Sequence, residues 1–211
     1  MSATSTVKPP TDEAVRKREL QYFRVWRRQA DSVLHQTDDE APHVDVYRFP
    51  PTRKPWAPAR KLNVYLTGGM STVAMAVPEE LDTPRRIELA AYAKERVQNA
   101  AGVDYVAWWL HFLSHFPFRQ GAFLAPMHTV IAPEPLTPSS EMVGFCFAIP
   151  PGVDAAALTR ATITAELVLQ VVPISKRECE LAEKDGPEAL LNAFDRGGIP
   201  PFFDFRRRSV V

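Results

Sequence analysis

The chain is poor in cysteine and glycine, has no excess charge of either sign and holds no long apolar run. Each shortage removes a class of protein. Of 211 residues only two are cysteine, Cys146 and Cys179. They form neither a CxxC pair nor a disulfide framework, so both are expected as reduced thiols. Lys plus Arg number 25 and Asp plus Glu number 25, a formal net charge of zero. A general nucleic-acid binder needs a basic excess to displace counterions from phosphates, so this balance argues against one. No apolar run approaches the ~18 residues of a membrane span, and the opening residues, MSATSTVKPPTDEA, contain no apolar leader. These absences predict a cytoplasmic protein with no membrane partner. Nine glycines stand against 20 prolines, which points to stiff connections and many strand ends rather than floppy linkers.

What is present is a regular succession of apolar patterns. Residues 1–11 read as disordered, and 12–36 as a helical appendage. Val15, Tyr22, Phe23, Trp26, Ala30, Val33 and Leu34 fall near three- and four-residue spacings and predict a helix from Asp12 to about Leu34. Thr11 is a fair N-cap for it. Arg16, Arg18, Arg24, Arg27 and Arg28 lie away from that stripe and are expected to be solvated. HVDVYRF alternates as a strand that Pro50 and Pro51 should end, since proline cannot donate to a ladder. KLNVYLT is a second strand with Leu62, Val64 and Leu66 on one face, and Gly68 and Gly69 supply a tight bend after it. In RRIELAAYAKER the propensities favour helix, while the alternation of Ile87, Leu89, Ala91 and Ala93 permits strand. GVDYVAWWLHFLSHF predicts a helix with a broad apolar surface. MHTVIA is a short strand. MVGFCFAI is apolar on both faces, as for a strand inside a sheet. TITAELVLQVVPI alternates as a long strand. KRECELAEK and PEALLNAF are helices broken at Gly186 and Pro187, and the tail from Phe202 is extended or irregular. This order lacks the strand–helix alternation of a doubly wound sheet. It predicts an α+β fold, a mixed and largely antiparallel sheet flanked by helices.

The residues that could carry catalysis fall short of the patterns that catalysis requires. Gly69-Met70-Ser71 is the first half of a G-x-S-x-G nucleophile elbow. Val73 stands where the second glycine belongs, and VAMAVP alternates like a strand instead of opening a helix. His111 and His115 share a helix face at metal-binding spacing, but Phe112 replaces the glutamate of HExxH and no third ligand is nearby. There is neither a GxxxxGK[ST] loop nor a GxGxxG turn to cradle a phosphate. Glu79 and Glu80 sit in a Pro-flanked loop and read as a solvated pair. Arg206 to Arg208 form a basic run read as solvated, with a docking contact as the alternative.

Taken in order, HVDVYRFPP, NVYLTGGMS, RRIELAAYA, WLHFLSHFPF, MHTVIA and LVLQVVPISKRECELAEKDGPEALLNAF resemble the suppressor of fused domain proteins. The resemblance spans residues 43–211. It implies a suppressor-of-fused-like N-terminal domain architecture, a strand at Ile87 to Ala93, and a structural role for Gly69, Met70 and Ser71. It also implies a non-enzymatic protein-binding module with no catalytic residues, cofactor or metal. Animal members carry a second domain, for which this chain is too short, and hold a transcription factor through extended-peptide pairing. They also have an acidic residue where Met127 stands here. Short members are bacterial and resemble immunity proteins that neutralise a cognate toxin, so the expected partner is a protein. Were an extended segment captured at a sheet edge instead, the candidate contacts are Trp108, His115, Met127 and His128.

Overall fold

The computed structural model describes residues 12–26, 29–54, 57–132, 134–151, 153–198 and 202–211. The stretch 1–11, read as disordered from its sequence, lies outside the described residues. Seven strands form one sheet: β1 (Ser32–Leu34), β2 (Asp45–Lys54), β3 (Ala57–Gly68), β4 (Ile87–Ala93), β5 (Thr129–Ile131), β6 (Met142–Ala148) and β7 (Leu167–Ser175). Their order is β1-β2-β3-β4-β7-β6-β5. Every pairing is antiparallel except β4 with β7, which run parallel at the centre with Ile87 opposite Leu167. The helices are α1 (Asp12–Trp26), α2 (Tyr105–Gln120), α3 (Val153–Ala161), α4 (Lys176–Asp185) and α5 (Pro187–Arg196).

Alternation along the strands sorts these elements into three layers. Leu89, Ala91, Phe145, Phe147, Leu169 and Val171 pack with Trp109, Leu110 and Leu113 of α2. Their neighbours in sequence point the other way. Leu62, Val64, Leu66, Tyr92 and Val168 meet Tyr22 of α1 and Leu158 and Ala161 of α3. Farther along that face, Cys146, Val172 and Ile174 meet Cys179 and Ala182 of α4 and Leu190 and Phe194 of α5. Thus α2 covers one face and the other four helices cover the opposite one. Cys146 and Cys179 are free and buried, and burial pushes their thiols up to about 12 and about 11.

Several sequence expectations are corrected by what packs against each segment. The helix ends at Trp26, and Ser32 to Leu34 pair with β2 instead, Val33 opposite Tyr47. The edge of β2 takes a partner there, a contact that apolar spacing alone cannot register. Strand β2 continues through Pro50 and Pro51. A register shift between Phe49 and Thr52 accommodates the two prolines, which have no N–H to donate. Segment Ile87 to Ala93 is a strand, as the family resemblance implied, against its helix propensity. All seven of its residues are buried between layers, and tertiary burial overrides a propensity difference of a few tenths of a kcal/mol per residue. Helix α3 was not anticipated, and Thr162 to Glu166 precede β7 instead of belonging to it.

The helix ends obey local rules. Asp104 caps α2 by accepting from Val106 N and Ala107 N, and Gly121 closes it in the left-handed region at φ 59°. Ser175 and Glu178 form a capping box at the start of α4. That box also anchors the C-terminal tail. Glu178 is fully buried, and its two carboxylate oxygens accept from Arg207 Nη1 at 2.6 Å and Nη2 at 2.5 Å. Arg207 also donates to the Pro173 carbonyl and lies 5.1 Å over the Phe194 ring. Burial alone would raise the Glu178 pKa. The Arg207 fork and the backbone donors outweigh it and hold the carboxyl below its ordinary value. So the basic run is not uniformly solvated: Arg207 is 6% exposed and docked, whereas Arg206 is 70% exposed. Arg207→Ala is expected to cost about 3–5 kcal/mol in urea denaturation, because it strands a buried charge. Adding Glu178→Gln should recover part of that loss.

Candidate functional site

The double-glycine turn after β3 is built around a buried carboxylate. Gly69 has φ 120°, and a Cβ there would lie 2.1 Å from the His43 carbonyl oxygen, so conformation and space both demand glycine. The 3-10 turn Met70–Thr72 then directs two backbone N–H groups inward. Glu88, one residue into β4 and 2% exposed, receives them: Oε1 accepts from Gly69 N at 3.0 Å, Ser71 N at 3.1 Å and Ser71 Oγ at 2.7 Å. Its Oε2 accepts from Thr67 Oγ1 at 2.6 Å. Ser71 Oγ also meets Thr164 Oγ1 at 2.6 Å, and none of its hydrogen bonds goes to a histidine. A nucleophilic serine needs a base within about 3 Å. Here the neighbouring groups use the hydroxyl to hold the turn.

A second buried carboxylate sits on the other side of the same turn. Asp45 is fully buried in β2. Its Oδ2 accepts from Arg18 Nη2 at 3.3 Å and from the Tyr47 hydroxyl at 3.4 Å. His35 Nδ1 and His43 Nε2 approach its Oδ1 at 3.2 and 3.3 Å. Arg18 reaches further and donates to the Gly68 carbonyl. One helical turn on, Tyr22 inserts edge-on against Tyr47 and Phe49, with ring centroids at 5.0 and 5.5 Å. Helix α1 is therefore tied to the turn by a charge and to the sheet by an aromatic wedge.

The four candidate contact residues do not share one surface. Trp108 is 43% exposed on the outer side of α2 and stacks on Phe112 at 5.9 Å and 16°. His115, on the same helix, is fully buried. Its Nδ1 lies 2.9 Å from the His111 carbonyl, and its Nε2 lies 3.1 Å from Gln36 Oε1 and 3.0 Å from the Pro42 carbonyl. It pins the segment before β2 to α2. Met127, at φ 72°, packs against the cluster under α4 and α5 on the opposite face, and His128 lies against Phe123 at 5.1 Å. His111 and His115 do approach each other, with ring centroids at 4.7 Å. Burial, then the neighbouring His115, lowers the His111 pKa. Among the described residues no third His, Cys, Asp or Glu joins them in a metal-holding group. Arg18, expected from its sequence position to be solvated, is instead 11% exposed and paired with Asp45, and sequence reasoning passed over Asp45 and Glu88. The one signal was a charged residue inside an apolar strand, VDV for Asp45 and IEL for Glu88.

A mixed, mainly antiparallel sheet with helices on both faces, with Glu88 and Asp45 engaged around one turn, is a fold that solved structures share. A suppressor of fused homologue from Neisseria gonorrhoeae superposes with a TM-score of 0.68 at 16% identity, over 95% of this chain and 98% of that one. A Sufu–Fu complex structure gives 0.63 at 17% identity, over 96% and 93%. Drosophila Suppressor of Fused gives 0.59 at 16% identity, this chain spanning about half of it (51%). A comparison with curated proteins returns no match. The profile of the suppressor of fused protein family matches residues 40–208. The chain belongs to that family.

Glu88 generates a prediction about pH. Burial raises its pKa, and the donors from Thr67, Ser71 and Gly69 recover only part of the shift. Its folded value thus lies above its unfolded one. The stability it contributes is fully present below the unfolded value and is lost as pH rises through the folded value. Relative to Glu88→Gln, which cannot titrate, the wild type should gain stability between pH 7 and pH 4 in urea denaturation. Glu88→Ala, which leaves the turn's N–H groups unpaired, should cost about 2–4 kcal/mol at either pH.

Proposed function

We propose that the chain is a non-enzymatic protein-binding module serving as an immunity protein that neutralises a cognate bacterial toxin. The observation that carries the reading is membership of the suppressor of fused family, whose fold is a protein-interaction domain. One solved relative is a complex, Sufu with Fu. The Neisseria gonorrhoeae homologue, matched over nearly its whole length, supports a bacterial single-domain form. The chemistry of the turn agrees, since Ser71 and Glu88 bond to each other and Asp45 bonds to Arg18. A rigid frame of that kind binds through a few anchors and complementary charge. No helix among the described residues is long and apolar enough to cross a membrane, and a cytoplasmic site of action belongs to the proposal.

A second reading, an adaptor that captures an extended segment by strand addition, is favoured by the sheet's ends. Three-residue strands β1 and β5 close the order, Ile131 on β5 is 54% exposed, and Met127 and His128 lead into β5. Replacing Trp108, Met127 and His128 together by alanine should abolish capture of such a segment; unimpaired capture would place the contact elsewhere. Replacing His115 instead tests the fold.

A toxin gene should lie beside this one, co-expression of the two should restore growth, and the purified proteins should form a stable complex. Toxicity undiminished by co-expression, with no complex formed, defeats the immunity reading. Trp108 is an exposed aromatic of the type that anchors interfaces. Trp108→Ala should weaken the complex by about 10- to 100-fold in calorimetry, with the melting temperature within about 2 °C of wild type.

A further inference from the structure

Helix α1 is anchored through its inner face. Tyr22 wedges against Tyr47, Arg18 pairs with Asp45, and Gln21 Nε2 donates to the Arg160 carbonyl at 2.8 Å, which ties the helix to the end of α3. Its outer face leaves Leu20 57% and Phe23 42% exposed, and Ile163, just past α3, is 47% exposed. Two open grooves flank Leu20. One of about 590 Å³ runs between α1 and Ile163, the other of about 550 Å³ lies toward Phe23 and Ala30, and Leu20 and Arg16 line both. Apolar side chains left in water along adjoining grooves mark an interaction surface.

The charge around these grooves is one-sided, in a chain whose formal net charge is zero. Residues 12–28 hold six Arg and Lys against three Asp and Glu. Arg18 is committed to Asp45. Arg16, Lys17 and Arg24 are exposed along the Ile163 groove, where Glu13 is the one carboxylate among the described lining residues. An apolar ridge between cations complements an apolar stripe between carboxylates. The described lining residues belong to α1 and to the stretches 29–30 and 162–163, none of them in a strand. Strand addition therefore has no ladder to join here, whereas the ridges of a second helix fit grooves beside the first. An anionic bilayer fits less well, since it cannot enter concave grooves and would meet Glu13 and Glu19. Residues 1–11 carry Lys8 and no acidic side chain, so their charge does not complement the patch.

We infer that this face of α1 docks an acidic amphipathic helix of a protein partner, its aliphatic stripe against Leu20, Phe23 and Ile163 and its carboxylates beside Arg16, Lys17 and Arg24. The inference rests on the protein-binding reading and states the partner's chemistry. The test is an NMR titration of the full chain with a capped peptide of three Glu-Glu-Leu-Ala-Glu-Leu-Leu repeats, beside counterparts in which every Glu is Gln or Lys. The Glu peptide should shift the amides of Arg16 to Arg24 and the methyl resonances of Leu20 and Ile163. The Gln peptide should bind about tenfold more weakly, and the Lys peptide more weakly still. Leu20→Ala should weaken the Glu peptide about five- to tenfold. The double variant Arg16→Glu/Arg24→Glu should reverse the order and favour the Lys peptide. Both positions are exposed, so the rest of its amide spectrum should persist. Equal binding of the three peptides, an unreversed order in the double variant, or no response at millimolar concentration overturns the site. So does a different occupant of the two methyl resonances: vesicles of phosphatidylcholine and phosphatidylserine, a second copy detected by dilution without peptide, or residues 1–11 detected by their deletion. The protein-binding reading is judged separately. A toxin bound equally well by wild type and the double variant removes this surface and leaves that reading standing, whereas a chain that binds no toxin removes the reading whatever the peptides do.

Discussion

The turn that follows β3 depends on the carboxylate of Glu88. Two backbone N–H groups and two hydroxyls converge on it, and without that acceptor Gly69 and Ser71 would bury donors with no partner. The turn in turn fixes its surroundings. It offers the Gly68 carbonyl to Arg18, and it brings the backbone of His43 so close that no Cβ fits at Gly69. Asp45, on the next strand, completes the attachment of α1 through the same arginine. Two buried carboxyl groups and one cation thus hold a helix, a turn and two strands in one arrangement. Breaking any one leaves another uncompensated in a low-dielectric interior, where the cost is highest.

This arrangement commits the polar side chains around the turn to holding it: Ser71 and Thr67 bond to Glu88, and Asp45 bonds to Arg18. At the surface, Trp108 is exposed on the outer side of α2, and the short strands β1 and β5 end the sheet. A family whose members share this frame at 16–17% identity can change partners by changing those outer residues while the frame persists.

Much of the frame was legible in the sequence, because alternation and helical spacing report which side of an element is apolar. Leu62, Val64 and Leu66 share a face as read, and Gly186 and Pro187 separate two helices as read. What the sequence did not disclose were decisions made by distant neighbours. Val33 and Leu34 fit a helix stripe until β2 is known to need a partner. Pro50 and Pro51 end a strand unless a register shift accommodates them. Ile87 to Ala93 reads as helix by composition and becomes a strand because layers cover both of its faces. For the candidate contacts the reason is similar. His115 and Trp108 lie on one helix, and which of them faces Gln36 and Pro42 is set by a loop remote in sequence.

The parallel pairing of β4 and β7 has a kinetic consequence. The antiparallel neighbours β2, β3 and β4 follow one another closely and can zip together early, but β7 enters only after α2, β5, β6 and α3 have been made. Until it arrives, β4, all seven of whose residues are buried in the fold, shows an unpaired edge. Such non-local closure slows folding and keeps that edge open to wrong pairing until the last partner is in place.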